Sequence, residues 1–142
     1  MPAARPFTAE WAAAFRDAVD ASAEYRAAAA GWTWSVALAL DPAAPALGYP
    51  DPVAVDLALD RGVCRAARLV PAEEATSDFV LRGPYETWKA IVRGTLDPMT
   101  AVATGRLSLA RGSLTTLLLH VGAARALVGV AQRVETAFPD EG

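Results

Sequence analysis

WKAIVRGTLDPMTAVATGRLSLARGSLTTLL, residues 88–118, is the stretch on which the fold turns. Its first residues predict a short amphipathic helix, ended by the Gly94-Thr95-Leu96-Asp97-Pro98 break. Asp97 as N-cap and Pro98 in the first turn then open a second short helix through Val102 to Gly105. Leu107 and Leu109 alternate as a small strand, Arg111-Gly112-Ser113 makes a tight turn, and Ser113 caps a long, very apolar helix. The stretch has no paired carboxylates, no His and Cys at metal-ligand spacing, no phosphate loop and no basic patch. It offers more apolar side chain than a layer covering a sheet should need, and that surplus points to a hydrophobic cavity rather than a reaction centre.

Upstream, Thr8 predicts an N-cap, with Glu10 at the positive end of the helix dipole. Trp11, Phe15, Ala18, Ser22 and Tyr25 then recur at helical spacing to about Ala29, before Gly31. The period changes to two at Trp32, so that Trp32, Trp34, Val36, Leu38 and Leu40 share one face of a strand. A proline-rich connection over 41–52 leads to a second strand carrying Val53, Val55, Leu57 and Leu59. Arg61-Gly62 fits a hairpin turn into a third strand over 63–70. There Cys64, Ala66 and Val70 alternate with Arg65, Ala67 and Leu69, and the facing is ambiguous. Phe79 and Leu81 mark a fourth strand, and Tyr85, Trp88, Ile91 and Val92 form the stripe of the helix after it. Downstream, Leu127, Val128, Ala131 and Val134 continue the stripe of the last helix, with a bend or break expected at Gly122 and Gly129. One helix, a four-strand meander, two helices, a fifth strand and a final helix make an α+β fold with helices on a mostly antiparallel sheet.

The 142 residues fit one domain spanning 1–142, long enough to bury a core without staples. Hydrophobic residues make up 54% of the chain and charged ones 20%, which excludes disorder except at the ends. Net charge is −3 and the basic residues are scattered singly, so nucleic acid is not an expected partner. Cys64 is the lone cysteine, leaving no intramolecular disulfide. The start of the chain lacks the features of a signal peptide. The most apolar window, 114–134, contains His120, Arg125, Gln132 and Arg133. Charges at the centre of a span cost roughly 2.5–3.5 kcal/mol each on insertion scales, so stable membrane insertion is not expected. The expectation is a cytoplasmic protein.

Each reactive-looking residue has a plainer reading. His120 lies between Leu119 and Val121 on an apolar helix, and no Ser–His–Asp set can be built around it from nearby sequence. Cys64 in a strand reads as a small buried hydrophobe. Glu73-Glu74 reads as a solvated loop pair. Trp32 and Trp34 could stack bases or sugars, but beside Val36, Leu38 and Leu40 they read as the core face of the sheet. The stripe formed by Trp88, Met99 and residues 114–134 stays open between ordinary core and the wall of an apolar tunnel.

The tryptophan helix, the Gly94–Pro98 break, Ala101 to Ala103 leading into Gly105-Arg106-Leu107, the strand closed by Gly112 and the leucine-rich helix together resemble the sterol carrier protein 2 domain family. Glu10-Trp11, the strand begun at Trp32, the Gly62 hairpin and Phe79 to Gly83 fit as well, so the resemblance covers nearly the whole chain. Ser113 departs from the acidic residue many members carry there; both types can cap a helix. The resemblance implies a five-stranded sheet covered by helices, with an apolar tunnel between them. It implies binding and movement of fatty acyl chains, acyl-CoA, phospholipids or sterols, with no enzyme activity, cofactor or metal. The residues expected to wall the tunnel are Trp88, Ile91, Val92, Met99, Val102, Leu107, Leu114, Leu117, Leu118, Val121 and Val128. Arg93, Arg106 and Arg111 are the candidates to meet an anionic headgroup. The competing reading is an interaction module on the same fold, docking its last helix on a partner or forming a homodimer.

Overall fold

The computed structural model describes residues 3–141. Helix α1 (Ala9–Ala21) begins where Thr8 Oγ1 accepts from the Trp11 N–H at 3.3 Å. The helix expected to run to about Ala29 is broken at Ser22. That residue turns extended (φ −92°, ψ 106°), and its Oγ accepts from the Tyr25 N–H at 3.0 Å, capping a second helix, α2 (Ala23–Ala28). Serine so placed offers the backbone a local hydrogen bond in place of the helical one. The break turns Tyr25 inward while α1 buries Trp11, Phe15 and Val19.

The strands are β1 (Val36–Leu40), β2 (Val53–Asp60), β3 (Val63–Pro71), β4 (Phe79–Gly83) and β5 (Ser108–Arg111), in the spatial order β3-β2-β1-β4-β5. Neighbours are antiparallel except for β1 and β4, which run parallel. The sheet is therefore mixed, and the expected four-strand meander ends at β3. Instead of pairing with β3, β4 lies on the far side of β1, and residues 72–78 cross the outer face of the sheet to reach it. The composition of that face permits the crossing. Val36, Leu38, Leu40, Val55 and Leu57 point to the inner core, while the alternate positions are Ala37, Ala39 and Ala54. Ala72 and Ala75 pack directly on these alanines, and Ser77 donates to the Asp56 carboxylate from the crossing chain. Larger side chains there would hold the crossing backbone off the sheet.

Two sequence readings of the strands change for local reasons. The strand expected from Trp32 starts at Val36; Trp32 and Trp34 lie in the approach to it, their rings edge to face with centroids 5.0 Å apart. In β3, Ala58 pairs with Ala66 but Leu59 pairs with Cys64, so Arg65 is an extra, bulged residue. The bulge flips the alternation. Cys64 shares the inner face with Ala67 and Leu69, not with Ala66 and Val70.

Four more helices cover the inner face: α3 (Tyr85–Val92), α4 (Pro98–Ala103), α5 (Leu114–Leu119) and α6 (Val121–Ala131). Asp97 caps α4, accepting from the Thr100 N–H at 3.0 Å, and Ser113 caps α5, accepting from the Thr116 N–H at 3.2 Å. The turn into α5 requires glycine. Gly112 has φ +110°, and a Cβ there would stand 2.4 Å from the Phe79 ring. The expected break in the last helix falls at His120 (φ −122°, ψ 34°), ahead of both glycines, which sit inside α6. Among the described residues no helix is long and apolar enough to cross a membrane.

Candidate ligand-binding site

The inner face of the sheet and the helices above it enclose an apolar cavity. Val36 and Leu38 of β1 with Phe79 and Leu81 of β4 form its floor. Pro98, Met99 and Val102 of α4 stand on one side, and Ala123, Ala124, Leu127 and Val128 of α6 on the other. Leu117 of α5 closes over it, and Tyr25 and Trp32 finish the wall. Every lining side chain is hydrocarbon or aromatic, apart from the Met99 thioether. The free space is about 40 Å³, little more than one water's share of the liquid at ~30 Å³. The cavity is a narrow seam, and an acyl chain can occupy it only if part of its wall moves.

The wall differs greatly in how firmly it is held. Helix α6 buries Ala123, Leu127, Val128, Val130 and Ala131 and packs against α1, α2, α3 and α4. Helix α5 is anchored through one side chain. Leu117 is 4% exposed, whereas Leu114, Leu118 and Leu119 are 48%, 55% and 77% exposed. One turn and a half of helix cannot turn four leucines inward at once, and nothing among the described residues covers the other three.

Of the residues expected to wall a tunnel, Met99, Val102, Leu117 and Val128 meet at this cavity. Trp88, Ile91, Val92 and Leu107 are buried in the adjoining core and do not border it. Trp88 packs edge to face on Phe7, and its indole N–H donates to the Ala39 carbonyl at 2.8 Å. Leu114 and Leu118 face outward, and Val121 is half-buried beside the joint at His120. The lining residues outside the expected wall are Tyr25, Trp32, Pro98, Leu127, the small Ala123 and Ala124, and the strand positions of β1 and β4. The strand residues were readable as an inner face, but nothing local showed that the void would lie over that part of it.

The three arginines do not converge on the cavity. Arg93 pairs with Glu141 and lies over the Phe138 ring, with Cζ 4.9 Å from its centroid, helping to tie the C-terminal segment to α3. The same tie uses Lys89, 2.8 Å from Asp140 and 2.7 Å from Glu141, and Tyr85, whose hydroxyl donates to Asp140 at 2.6 Å. Arg111 borders a separate, open groove of about 760 Å³ on the outer face, between the crossing segment and β5. That groove is larger than the apolar cavity but is edged by Asp41, Asp51, Glu73 and Arg82, with Arg82 and Asp41 paired at 3.5 Å. Arg106 is exposed in the α4–β5 connection.

The reactive side chains have other employment. The His120 ring packs edge to face on Trp32 and Trp34, with centroids 5.5 and 5.4 Å away, at the joint between α5 and α6. Burial, then the nearby Asp20 carboxylate, push the Cys64 thiol up to about 11, which keeps it protonated at neutral pH. Burial raises the Tyr25 hydroxyl as well. Beside the lining residue Pro98, burial would raise Asp97, but hydrogen bonds from Arg125 and Thr100 outweigh it and hold the carboxyl below its usual range. Among the described residues no three of His, Cys, Asp and Glu come together as a metal site.

This architecture has close counterparts. A crystal structure of sterol carrier protein 2 superposes with a TM-score of 0.87 at 40% identity, covering 92% of this chain and 99% of that one. The solution structure of TT1886, a conserved hypothetical protein of Thermus thermophilus, gives 0.86 at 37% identity, covering 96% and 94%. Sterol carrier protein 2 of Yarrowia lipolytica in its apo form is 13% identical with a TM-score of 0.55, covering 84% and 88%, and shares the fold alone. A comparison with curated proteins finds no match. The model of the SCP-2 sterol transfer family matches residues 15–116. On the strength of that match and of the crystal structure's likeness, the chain belongs to the SCP-2 sterol transfer family.

Proposed function

We propose that the protein binds a lipid by an acyl chain or comparable apolar body in the cavity between the sheet and helices α4 to α6, and transfers it without covalent chemistry. The observation that carries this reading is the lining: fourteen residues, all apolar or aromatic, enclose the cavity, and a ligand held there needs no polar group for affinity. Fatty acids, acyl-CoA, phospholipids and sterol-like molecules are the candidate classes. Each buried methylene contributes about 0.8 kcal/mol, so a chain of roughly 16 carbons supplies on the order of 10 kcal/mol before ordering costs. Part of that gain has to open the seam. Helix α5, anchored by Leu117 and hinged at His120, is the wall element that costs least to displace.

An interaction module that docks its last helix on a partner would leave Leu117, Val121 and Val128 exposed. Leu117 and Val128 instead turn into the cavity and Val121 is half-buried, which favours lipid. Native mass spectrometry of the purified protein, with solvent extraction of whatever co-purifies, tests the reading. The expected result is an adduct that extraction resolves to a lipid, and delipidated protein that takes up a fluorescent fatty acid saturably. Protein that purifies free of lipid and shows no saturable uptake of any of the four ligand classes refutes it.

A further inference from the structure

We propose that Arg125 of α6 holds the ionised carboxylate of a single-chain lipid whose hydrocarbon lies in the apolar cavity; the inference rests on the lipid-binding reading above. The lining itself offers an anion nothing, since every residue in it is apolar or aromatic. An ionised group left among those side chains would be desolvated without a partner, so it has to end just outside them. Three arginines directly adjoin a lining residue in the chain: Arg26 beside Tyr25, Arg82 beside Leu81 and Arg125 beside Ala124. Arg82 turns to the opposite face of the sheet, where it borders the outer groove and pairs with Asp41. Arg26 donates to the Asp20 carbonyl at 2.7 Å, and its backbone lies against Gly62 in the β2–β3 turn. Arg125 is left, with lining residues on both sides of it: Ala123 and Ala124 before, Leu127 and Val128 after.

Its hydrogen bonding suits the task. Arg125 Nε donates to Asp97 Oδ1 at 3.0 Å, and Asp97 immediately precedes the lining residues Pro98 and Met99. The pair therefore reaches from the α6 wall to the α4 wall, and it does so at the protein surface, with Asp97 33% and Arg125 58% exposed. Asp97 is itself fixed as the N-cap of α4, accepting from the Thr100 N–H at 3.0 Å and from Thr100 Oγ1 at 3.3 Å. One donor of the guanidinium is thus used to hold it in place. The terminal Nη1 and Nη2 groups make no hydrogen bond among the described residues, and such a fork matches the two oxygens of a carboxylate. The adjoining Asp97 charge also selects the headgroup. A monoanion leaves the three groups at a net charge of about −1, whereas a phosphate carrying more than one charge would add to the repulsion from Asp97.

The test is fluorescence titration of the full chain, R125Q and D97N with cis-parinaric acid and with its methyl ester, in low and high salt. Acid and ester share one hydrocarbon chain, so the ratio of their affinities isolates the carboxylate. In R125Q the preference for the acid over the ester should fall about fivefold in low salt and by less in high salt, with ester affinity at the parent value. D97N keeps an acceptor oxygen and a good N-cap but removes the competing negative charge, so its preference for the acid should equal or exceed the parent's. Circular dichroism checks that each variant folds, and if R125Q does not, the D97N ratio decides. The proposal is overturned if R125Q keeps the parent ratio, or if it weakens acid and ester alike, since the pair would then only brace the two walls. It is equally overturned if the D97N ratio falls below the parent's. If the parent binds neither acid nor ester, it is the lipid-binding reading that fails, and the assignment of Arg125 falls with it.

Discussion

Replacing Leu117 by Ala separates a lid from a core helix. Leu117 is the one buried leucine of α5, while Leu114, Leu118 and Leu119 touch solvent. Truncating a core leucine to alanine costs 2–5 kcal/mol when the residue cannot escape the cavity it leaves. On α5 the loss has a ceiling, because the helix can lift away and end the penalty. If truncation removes about 2 kcal/mol of docking free energy, the open form rises roughly thirtyfold, at 1.4 kcal/mol per factor of ten. Release of a bound fluorescent fatty acid, followed by stopped-flow displacement, should accelerate by up to that factor. Backbone amides of α5 should exchange with solvent correspondingly faster, with those of α6 unchanged.

Leu57→Ala is the control. Leu57 lies fully buried on the inner face of β2, away from the cavity lining, and its truncation should carry the full core penalty. For a domain of this size each kcal/mol shifts Tm by roughly 3–6 °C, so Leu57→Ala should lower it by about 10 °C or more and Leu117→Ala by clearly less. Equal losses of Tm in the two variants, with ligand release at the parent rate, would show that α5 unfolds only with the rest of the molecule. The lid would then have to be sought elsewhere.

Alanine at both Gly122 and Gly129 should stabilise α6 by up to about 1 kcal/mol each, since neither has an atom within 4 Å of where a Cβ would stand. Because the helix breaks at His120, ligand release should stay at the parent rate, and a slowed release would restore the glycines as the hinge. Ala39→Leu should cost about 1–3 kcal/mol in urea denaturation by pushing the crossing segment off the outer face, with ligand affinity retained; a neutral result would mean that the crossing does not need alanines beneath it. Cys64 sets an alkaline limit. Its thiol is raised from 9.0 to about 11 in the folded protein, so its contribution is fully present below the unfolded value and is lost as pH rises through that window. The loss amounts to about 3 kcal/mol by linkage, and Cys64→Ala should flatten that part of a Tm profile; an unchanged profile would place the alkaline loss on other groups.

Much of the fold was legible because the controlling signals are local. The period of two through Val53, Val55, Leu57 and Leu59 identified β2, and the caps at Thr8, Asp97 and Ser113 fixed three helix starts to the residue. The resemblance in the Gly94–Pro98 and Gly105–Leu107 stretches gave the family. What failed depends on pairing between distant segments. Strand β4 joins β1 rather than β3, and no periodicity within residues 79–83 can say so. The alternation of large residues with Ala37, Ala39 and Ala54 did carry a trace of it: a face built of alanine has to be approached by backbone. The bulge at Arg65 left a subtler mark, since inserting one residue makes either facing of β3 half right.

The candidate site was less legible than the fold, and α5 shows why. Leu114, Leu117 and Leu118 fall at helical spacing, and periodicity assigns them one apolar stripe. A stripe states which residues share a side of the helix and not how wide the partner surface is. The break at His120 leaves α5 only six residues long, and β5, which leads into it, is a four-residue edge strand. With so little to rest on, the helix seats Leu117 over the seam and leaves its neighbours in water. Full burial would need a wider sheet or a larger cavity below, and either would remove the exposed leucines. A narrow seam of about 40 Å³ and an uncovered leucine patch are therefore two consequences of one geometry. The apolar surface missing from the interior of the resting protein is present on its outside, on Leu114, Leu118 and Leu119.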